Sequence, residues 1–228
     1  MNMALYMDRE IPQDAGHLVR VSVDSVTLEG NLSIPEVAEG VVLFAHGSGS
    51  SRFSPRNRFV ANILCQGGLV TLLIDLLTSE EGDIDRYTRH LRFDIDLLAD
   101  RLAGATDWIL ERADTRDLNI GYFGSSTGAA AALVAAAQRP DVIDAVVSRG
   151  GRPDLARRAL RQVKTPTLLI VGGNDVQVLG LNRQALAQLR EEKRLEIVPG
   201  AGHLFEEPGA LETVAQLAQQ WFVDHLAR

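Results

Sequence analysis

From residue 41 onward, short strand-like runs alternate with helix-patterned segments, and few folds accept that alternation. Val41-Val42-Leu43-Phe44-Ala45 is wholly apolar, as a strand covered on both faces is. Strand-like runs follow at 69–75, 118–123, 142–147, 167–171 and 195–198. Between them lie helical patterns at 56–66, 129–137, 153–163, 181–191 and a closing 206–226. The longest, 87–113, repeats Leu91, Ile95, Leu98, Leu102, Ala105 and Ile109 at three- and four-residue steps. The pattern predicts an α/β fold with a mainly parallel central sheet and helices on both faces. Ahead of it, 17–24 and 26–34 alternate apolar and polar residues, which predicts two N-terminal antiparallel strands turning at Asp24-Ser25. The acidic stretch 78–85 reads as a loop without assigned structure. No segment between strands is long enough for a large cap domain, so the expectation is one domain over 1–228.

Composition narrows the function classes. The chain has 228 residues, 46% hydrophobic and 23% charged, the balance of a soluble globular domain with a sizeable core. Its net charge is −7 and it carries no basic stripe, which argues against a nucleic-acid partner. The apolar runs fall far short of the roughly 20 residues that span a bilayer, so no membrane partner is expected. Residues 1–15 carry Asp8, Glu10 and Asp14 and do not read as a signal peptide. Cys65 is the lone cysteine, which rules out an internal disulfide and fits a cytoplasmic location.

The chemistry centres on Gly124-Ser125-Ser126-Thr127-Gly128, between a strand run and an alanine-rich helix. A Gly-x-Ser-x-Gly stretch there puts Ser126 on a tight strand-to-helix turn, its hydroxyl exposed as a nucleophile. The plainer alternative is a glycine- and serine-rich turn that only reverses the chain. A serine hydroxyl needs a base, and the base needs an acid to orient it. Of five histidines, His203 stands in Gly200-Ala201-Gly202-His203, just after the last strand, on the edge where open parallel sheets bind ligands. His46 shares that edge but precedes Ser126; it is read as bracing its loop. Asp175 closes Gly172-Gly173-Asn174-Asp175, one strand before His203. Its alternative is an ordinary turn aspartate. Asp144, in mid-strand, and Asp154, in a first helical turn, are weaker rivals. The resulting order is Ser126, Asp175, His203, with Asp175 holding the histidine tautomer. The Thr127 N–H, at the helix start, and the Ser48 N–H, in the loop after the first central strand, are the candidate oxyanion donors.

Four motifs fall in order at strand ends: Phe44-Ala45-His46-Gly47-Ser48-Gly49-Ser50, Gly121 to Gly128, Gly172 to Asp175, and Gly200 to His203. From about residue 16 to 228 the chain resembles an α/β-hydrolase, of the dienelactone hydrolase family. The resemblance implies hydrolysis of a small-molecule ester or lactone, with no metal and no organic cofactor. The founding lactonases of that family use a cysteine where this chain has Ser126. That departure favours a carboxylesterase acting through an acyl-enzyme, and the lack of a lid-sized segment points to short acyl groups. Lactone or thioester hydrolysis on the same residues, or a silent ligand-binding protein, are the alternatives. Cys65 is no substitute nucleophile; it falls in a helical pattern as a small buried side chain. Arg149 or Arg152, after the strand at 142–147, could hold a substrate carboxylate, or else form a structural ion pair. Asp75 reads as structural, and Leu76 and Leu77 as pocket wall. Ser125 receives no role.

Overall fold

The computed structural model describes residues 16–227; the expectation about residues 1–15 lies outside them. Its strands are β1 (His17–Val23), β2 (Val26–Ser33), β3 (Gly40–Ala45), β4 (Leu69–Ile74), β5 (Ile120–Ser125), β6 (Ile143–Arg149), β7 (Thr167–Gly172) and β8 (Lys193–Val198). They form one sheet in the order β1-β2-β4-β3-β5-β6-β7-β8. The β1–β2 and β2–β4 pairings are antiparallel, and every later pairing is parallel. Asp24 takes the left-handed φ of 48° that the tight β1–β2 turn needs.

Strand periodicity splits the core in two. Val42, Phe44, Phe123, Val147 and Ile170 face one side, under α1 (Pro55–Gln66) and α6 (Ala210–Leu226). Val41, Leu43, Tyr122, Val146 and Leu169 face the other, under α3 (Ile95–Glu111) and α4 (Thr127–Gln138). Residue β-alternation thus decides which helix layer each side chain meets. Alanines 129 to 132 are all fully buried, so α4 lies close against the sheet.

The pattern at 87–113 does not make one helix. The chain instead forms α2 (Ser79–Thr88), a single 3₁₀ turn at Leu91–Phe93, and then α3. Arg89 ends α2 at φ 57°, and the Asp94 side chain starts α3 by accepting from the Leu97 N–H at 3.1 Å. Buried Asp85 sets the break. Its carboxylate accepts from the N–H groups of Leu91 (2.8 Å) and Arg92 (3.2 Å) and from Arg92 Nε (2.5 Å). Burial alone would raise the Asp85 pKa; Arg92 and these amides outweigh it and hold the group below the ordinary carboxylate value. Nor is 78–85 a loop: Thr78 and Glu81 close a capping box that opens α2. The segment at 153–163 is a 3₁₀ helix, Pro153–Arg161, kinked at Arg157. The last remaining helix, α5 (Val176–Gln188), begins directly after Asp175, earlier than the apolar pattern indicates.

Two glycines separate tight packing from open space. A Cβ on Gly128 would stand 2.2 Å from the Ala45 carbonyl oxygen and 2.5 Å from that of His46. A Cβ on Gly180, inside α5, would meet nothing within 4 Å. Gly128→Ala is therefore expected to destabilise by about 2 kcal/mol or more, and Gly180→Ala to stabilise by about 0.5–1 kcal/mol. Urea unfolding followed by circular dichroism checks both.

Candidate active site

Ser126 joins β5 to α4 with φ 51° and ψ −119°, a conformation an L-residue holds only under constraint. The constraint is local. Its N–H donates to the Arg149 carbonyl (3.2 Å), and its carbonyl accepts from Ala129 N–H (3.2 Å) and Arg152 N–H (3.0 Å). Every residue from Ile120 to Ala136 is buried except Ser126. Glycines make the turn possible: a Cβ on Gly124 would lie 2.4 Å from Ala129 Cα, and one on Gly47 would lie 3.1 Å from Ser126 Cβ. The loop after β3 therefore runs alongside the serine.

His203 and Asp175 meet beyond the ends of β8 and β7. His203 Nδ1–H donates to Asp175 Oδ2 at 2.6 Å. The loops bearing them are tied together, with Asn174 N–H on the Ala201 carbonyl (2.9 Å) and Asn174 Nδ2 on that of Gly200 (2.7 Å). Asp175 occupies the N-cap position of α5 yet makes no side-chain cap bond. With Nδ1 engaged, Nε2 is the ring nitrogen left to act. His203 Cε1 would be 3.6 Å from a Cβ on Gly150, which follows β6 beside the elbow. No hydrogen bond joins Ser126 Oγ to His203 among the described residues. The rival acids are engaged elsewhere. Asp144 accepts from Ile120 N–H (2.9 Å) at the opposite sheet edge, and Asp154 is bound by Arg152.

The glycine loop after β3 is held by two groups. His46 Nδ1–H donates to the Gly47 carbonyl (3.0 Å), and its Nε2 accepts from Leu76 N–H (3.4 Å). That bonding needs a neutral ring. Burial lowers the His46 pKa, against the smaller opposing pull of the Gly47 carbonyl and the Asp75 charge. The second group is Arg52, which the sequence does not reveal. Its N–H meets Asp75 Oδ1 at 2.6 Å, Nη1 bonds Asp75 Oδ2, Nε bonds Asn31 (3.1 Å) and Nη2 bonds Glu29 (2.7 Å). The only clue is an arginine in a loop near a strand-ending aspartate; the partners are too far apart in sequence to show a pattern.

Ser48 is exposed, and its N–H donates to no backbone carbonyl among the described residues. The Thr127 N–H is the first amide of α4 and has no intrahelical acceptor. Both residues line a cleft of about 940 Å³, with Gly47, Asp75 and Leu77, bounded by α2. His203 and Asp175 stand outside its lining. Leu76 is not pocket wall: strand β4 ends at Ile74, and Leu76 turns into the core while Leu77 faces the cleft. Arg152 makes a two-pronged pair with Asp154 at 2.8 Å each, the ion-pair alternative. Arg149 is buried at the end of β6. Ser125 Oγ lies 3.5 Å from Asn57 Oδ1, under the elbow. Cys65 is half-buried near the far end of α1. Among the described residues no cluster of His, Cys, Asp and Glu is placed to hold a metal ion, and no helix is long and apolar enough to cross a membrane.

Comparison with known proteins agrees with this architecture. The dienelactone hydrolase family model matches residues 28–225. A crystal structure of a dienelactone hydrolase from Anabaena variabilis ATCC 29413 is 66% identical, with a TM-score of 0.91, covering 92% of this chain and 97% of that one. A Mycobacterium tuberculosis (strain H37Rv) protein described as a putative phosphoribosyl transferase is 56% identical over 208 residues, 91% of this chain but 46% of that protein. The chain thus spans about half the length of the curated relatives it matches. An α/β serine hydrolase without lid from Xanthomonas campestris shares the fold at 20% identity, with a TM-score of 0.74, over 91% of this chain and 94% of that one.

The His46 environment makes a pH prediction. Its folded pKa lies below the unfolded value of about 6.5. The unfolded chain therefore binds the extra proton, so this contribution to stability is complete above about pH 6.5 and erodes as pH falls below it. Ring-proton NMR should show His46 titrating below pH 6.5, and His46→Gln should flatten the loss of melting temperature between about pH 6.5 and 5.

Proposed function

The chain belongs to the dienelactone hydrolase family, and we propose that it is a serine hydrolase of small carboxylic esters. The observation that carries this reading is the 2.6 Å His203–Asp175 bond, on the same sheet edge as a strained, solvent-reaching Ser126. In the proposed reaction His203 Nε2 takes the proton of Ser126 Oγ as that oxygen attacks the ester carbonyl. The Asp175 carboxylate holds the tautomer and stabilises the imidazolium. The N–H groups of Thr127 and Ser48 receive the oxyanion, each worth about 3 to 4 kcal/mol of barrier. Protonated His203 then releases the alcohol, and water, activated by the same ring, hydrolyses the acyl-enzyme. Ser126 and His203 need to close up only when substrate is bound, since such bonds are often long in free enzymes.

Among the described residues no large cap domain covers the edge, and short acyl groups are the expected substrates. A lactone is the second reading, favoured by the 66% identity to a protein named dienelactone hydrolase. The transferase name of the M. tuberculosis relative belongs to a protein of which this chain matches 46%, so it lends no transfer chemistry here.

A fluorophosphonate probe should label Ser126. Ser126→Ala and His203→Ala should each cut turnover of 4-nitrophenyl acetate by about 10⁶, and Asp175→Asn by about 10⁴, with the fold intact. Turnover near wild type in Ser126→Ala ends the proposal. A series of 4-nitrophenyl esters beside a simple lactone separates the two substrate readings; a rate climbing steadily to long chains contradicts the short-chain expectation.

A further inference from the structure

The cleft beside the elbow is bordered by some of the proposed catalytic groups and not by others. Gly47, Ser48 and Thr127 line it, and a Cβ on Gly47 would stand 3.1 Å from the Ser126 Cβ. His203 and Asp175 do not line it. In an acyl transfer the histidine protonates the leaving alcohol, so the alcohol lies on the His203 side while the carbonyl oxygen faces the amide donors. The acyl chain is thereby directed to the cleft. The two sides differ in character. Val176 and Leu204, which directly follow Asp175 and His203, are apolar and 75% and 43% exposed. Among the described residues lining the cleft, Leu77 and Leu98 alone carry large apolar side chains.

Small-molecule pockets are ordinarily mostly apolar. This one is walled by hydroxyls and charges. Thr27, Ser48, Ser50, Ser79 and Thr127 bring hydroxyls. The charges offset one another: Arg92 holds Asp85, Arg86 holds Asp83, and Arg52 takes Asp75 and Glu29. Such a wall has little net sign with which to choose an ion, and an alkyl chain would strip water from it without replacing the bonds. A chain that carries hydroxyls replaces them. One hydroxyl in the wall is unmatched. Thr127 is 3% exposed, and its Oγ1 is fully enclosed with no hydrogen-bond partner. The hydroxyls of Thr106, Thr115, Thr165 and Thr167, equally buried, each donate to a carbonyl. Thr127 Oγ1 thus keeps a donor and an acceptor unused, one residue from Ser126.

We propose that the α2-bounded cleft is the acyl subsite and selects a short acyl chain bearing hydroxyl groups, with Thr127 Oγ1 bonding the hydroxyl nearest the carbonyl. The inference rests on the hydrolase reading above and names its substrate class as esters of short hydroxy acids with apolar alcohols. Thr127 then serves twice, its amide on the oxyanion and its hydroxyl on the chain. A plain alkyl chain leaves that hydroxyl buried and unsatisfied, and so binds less well.

The test compares kcat/KM for 4-nitrophenyl 3-hydroxybutanoate with that for 4-nitrophenyl butanoate, which differ by one hydroxyl. Wild type should favour the hydroxy ester by about tenfold or more, since a site that bonds a substrate hydroxyl rejects the analogue lacking it. Thr127→Val keeps the backbone amide and should lower that ratio by about tenfold, while Thr127→Ser should keep it. A wild-type ratio of one or less overturns the proposal. So does Thr127→Val slowing both esters equally, which assigns the hydroxyl to the oxyanion instead. A second arm needs no turnover. Methyl 3-hydroxybutanoate titrated into Ser126→Ala should move the amide NMR signals of Ser48, Leu77 and Thr127, and should do so at lower concentration than methyl butanoate. Shifts confined to Val176 and Leu204, or no shifts, overturn the acyl assignment. Failure to hydrolyse either nitrophenyl ester counts against the hydrolase reading, and the NMR arm then decides the cleft by itself.

Discussion

The site depends on one backbone distortion being held in place. Ser126 sits at φ 51° because three main-chain hydrogen bonds, from β6, the loop after it and α4, close around its peptide groups. The same closeness forbids side chains at Gly124 and Gly128, where any Cβ would run into backbone rather than into a yielding side chain. Strain of this kind costs about 1–3 kcal/mol and persists only where the surroundings over-determine it. Here the over-determination comes from the sheet itself. β3, β5 and β6 end at neighbouring positions, so the elbow is clamped by the same ladder that builds the core.

The groups around the elbow are fixed by unlike means. The loop carrying Ser48 is held by charge and by a neutral histidine: Arg52 bridges β2, β4 and the loop, and His46 ties the loop to Leu76. The loops carrying Asp175 and His203 are joined by main-chain and asparagine bonds, with little ionic help beyond the pair itself. Acid should therefore loosen the first, since a protonated His46 can no longer accept from the Leu76 N–H.

Much of this was legible in the chain for local reasons. A strand buried on both faces is written in the five consecutive apolar residues Val41 to Ala45, and Ser126 and Asp175 fall within a few residues of the ends of strands buried in the same way, whereas His203 follows the largely exposed β8. What escaped was set by tertiary contacts or by phase. The apolar repeat from Leu91 to Ile109 continues smoothly across the break that Asp85 imposes, because a carboxylate capping from another turn leaves no periodic trace. Leu76 and Leu77 are chemically alike, and only the point where β4 ends decides which one meets the cleft. Arg52 finds Asp75 and Asn31 more than twenty positions away, a pairing that no spacing rule encodes. Arg152 looked as free as Arg149 until Asp154, two residues on, proved to hold it.

Asp175 stands where α5 begins, the place at which an aspartate usually satisfies a helix's first amides. Its carboxylate instead turns to His203, and the helix goes without that cap. Such a cap is typically worth about 1 kcal/mol. The chain thus holds a small reserve of stability that its histidine keeps out of reach. A protein lacking the His203 ring would let Asp175 swing back onto α5, and should unfold later than the intact one for a reason unconnected with the histidine's own packing.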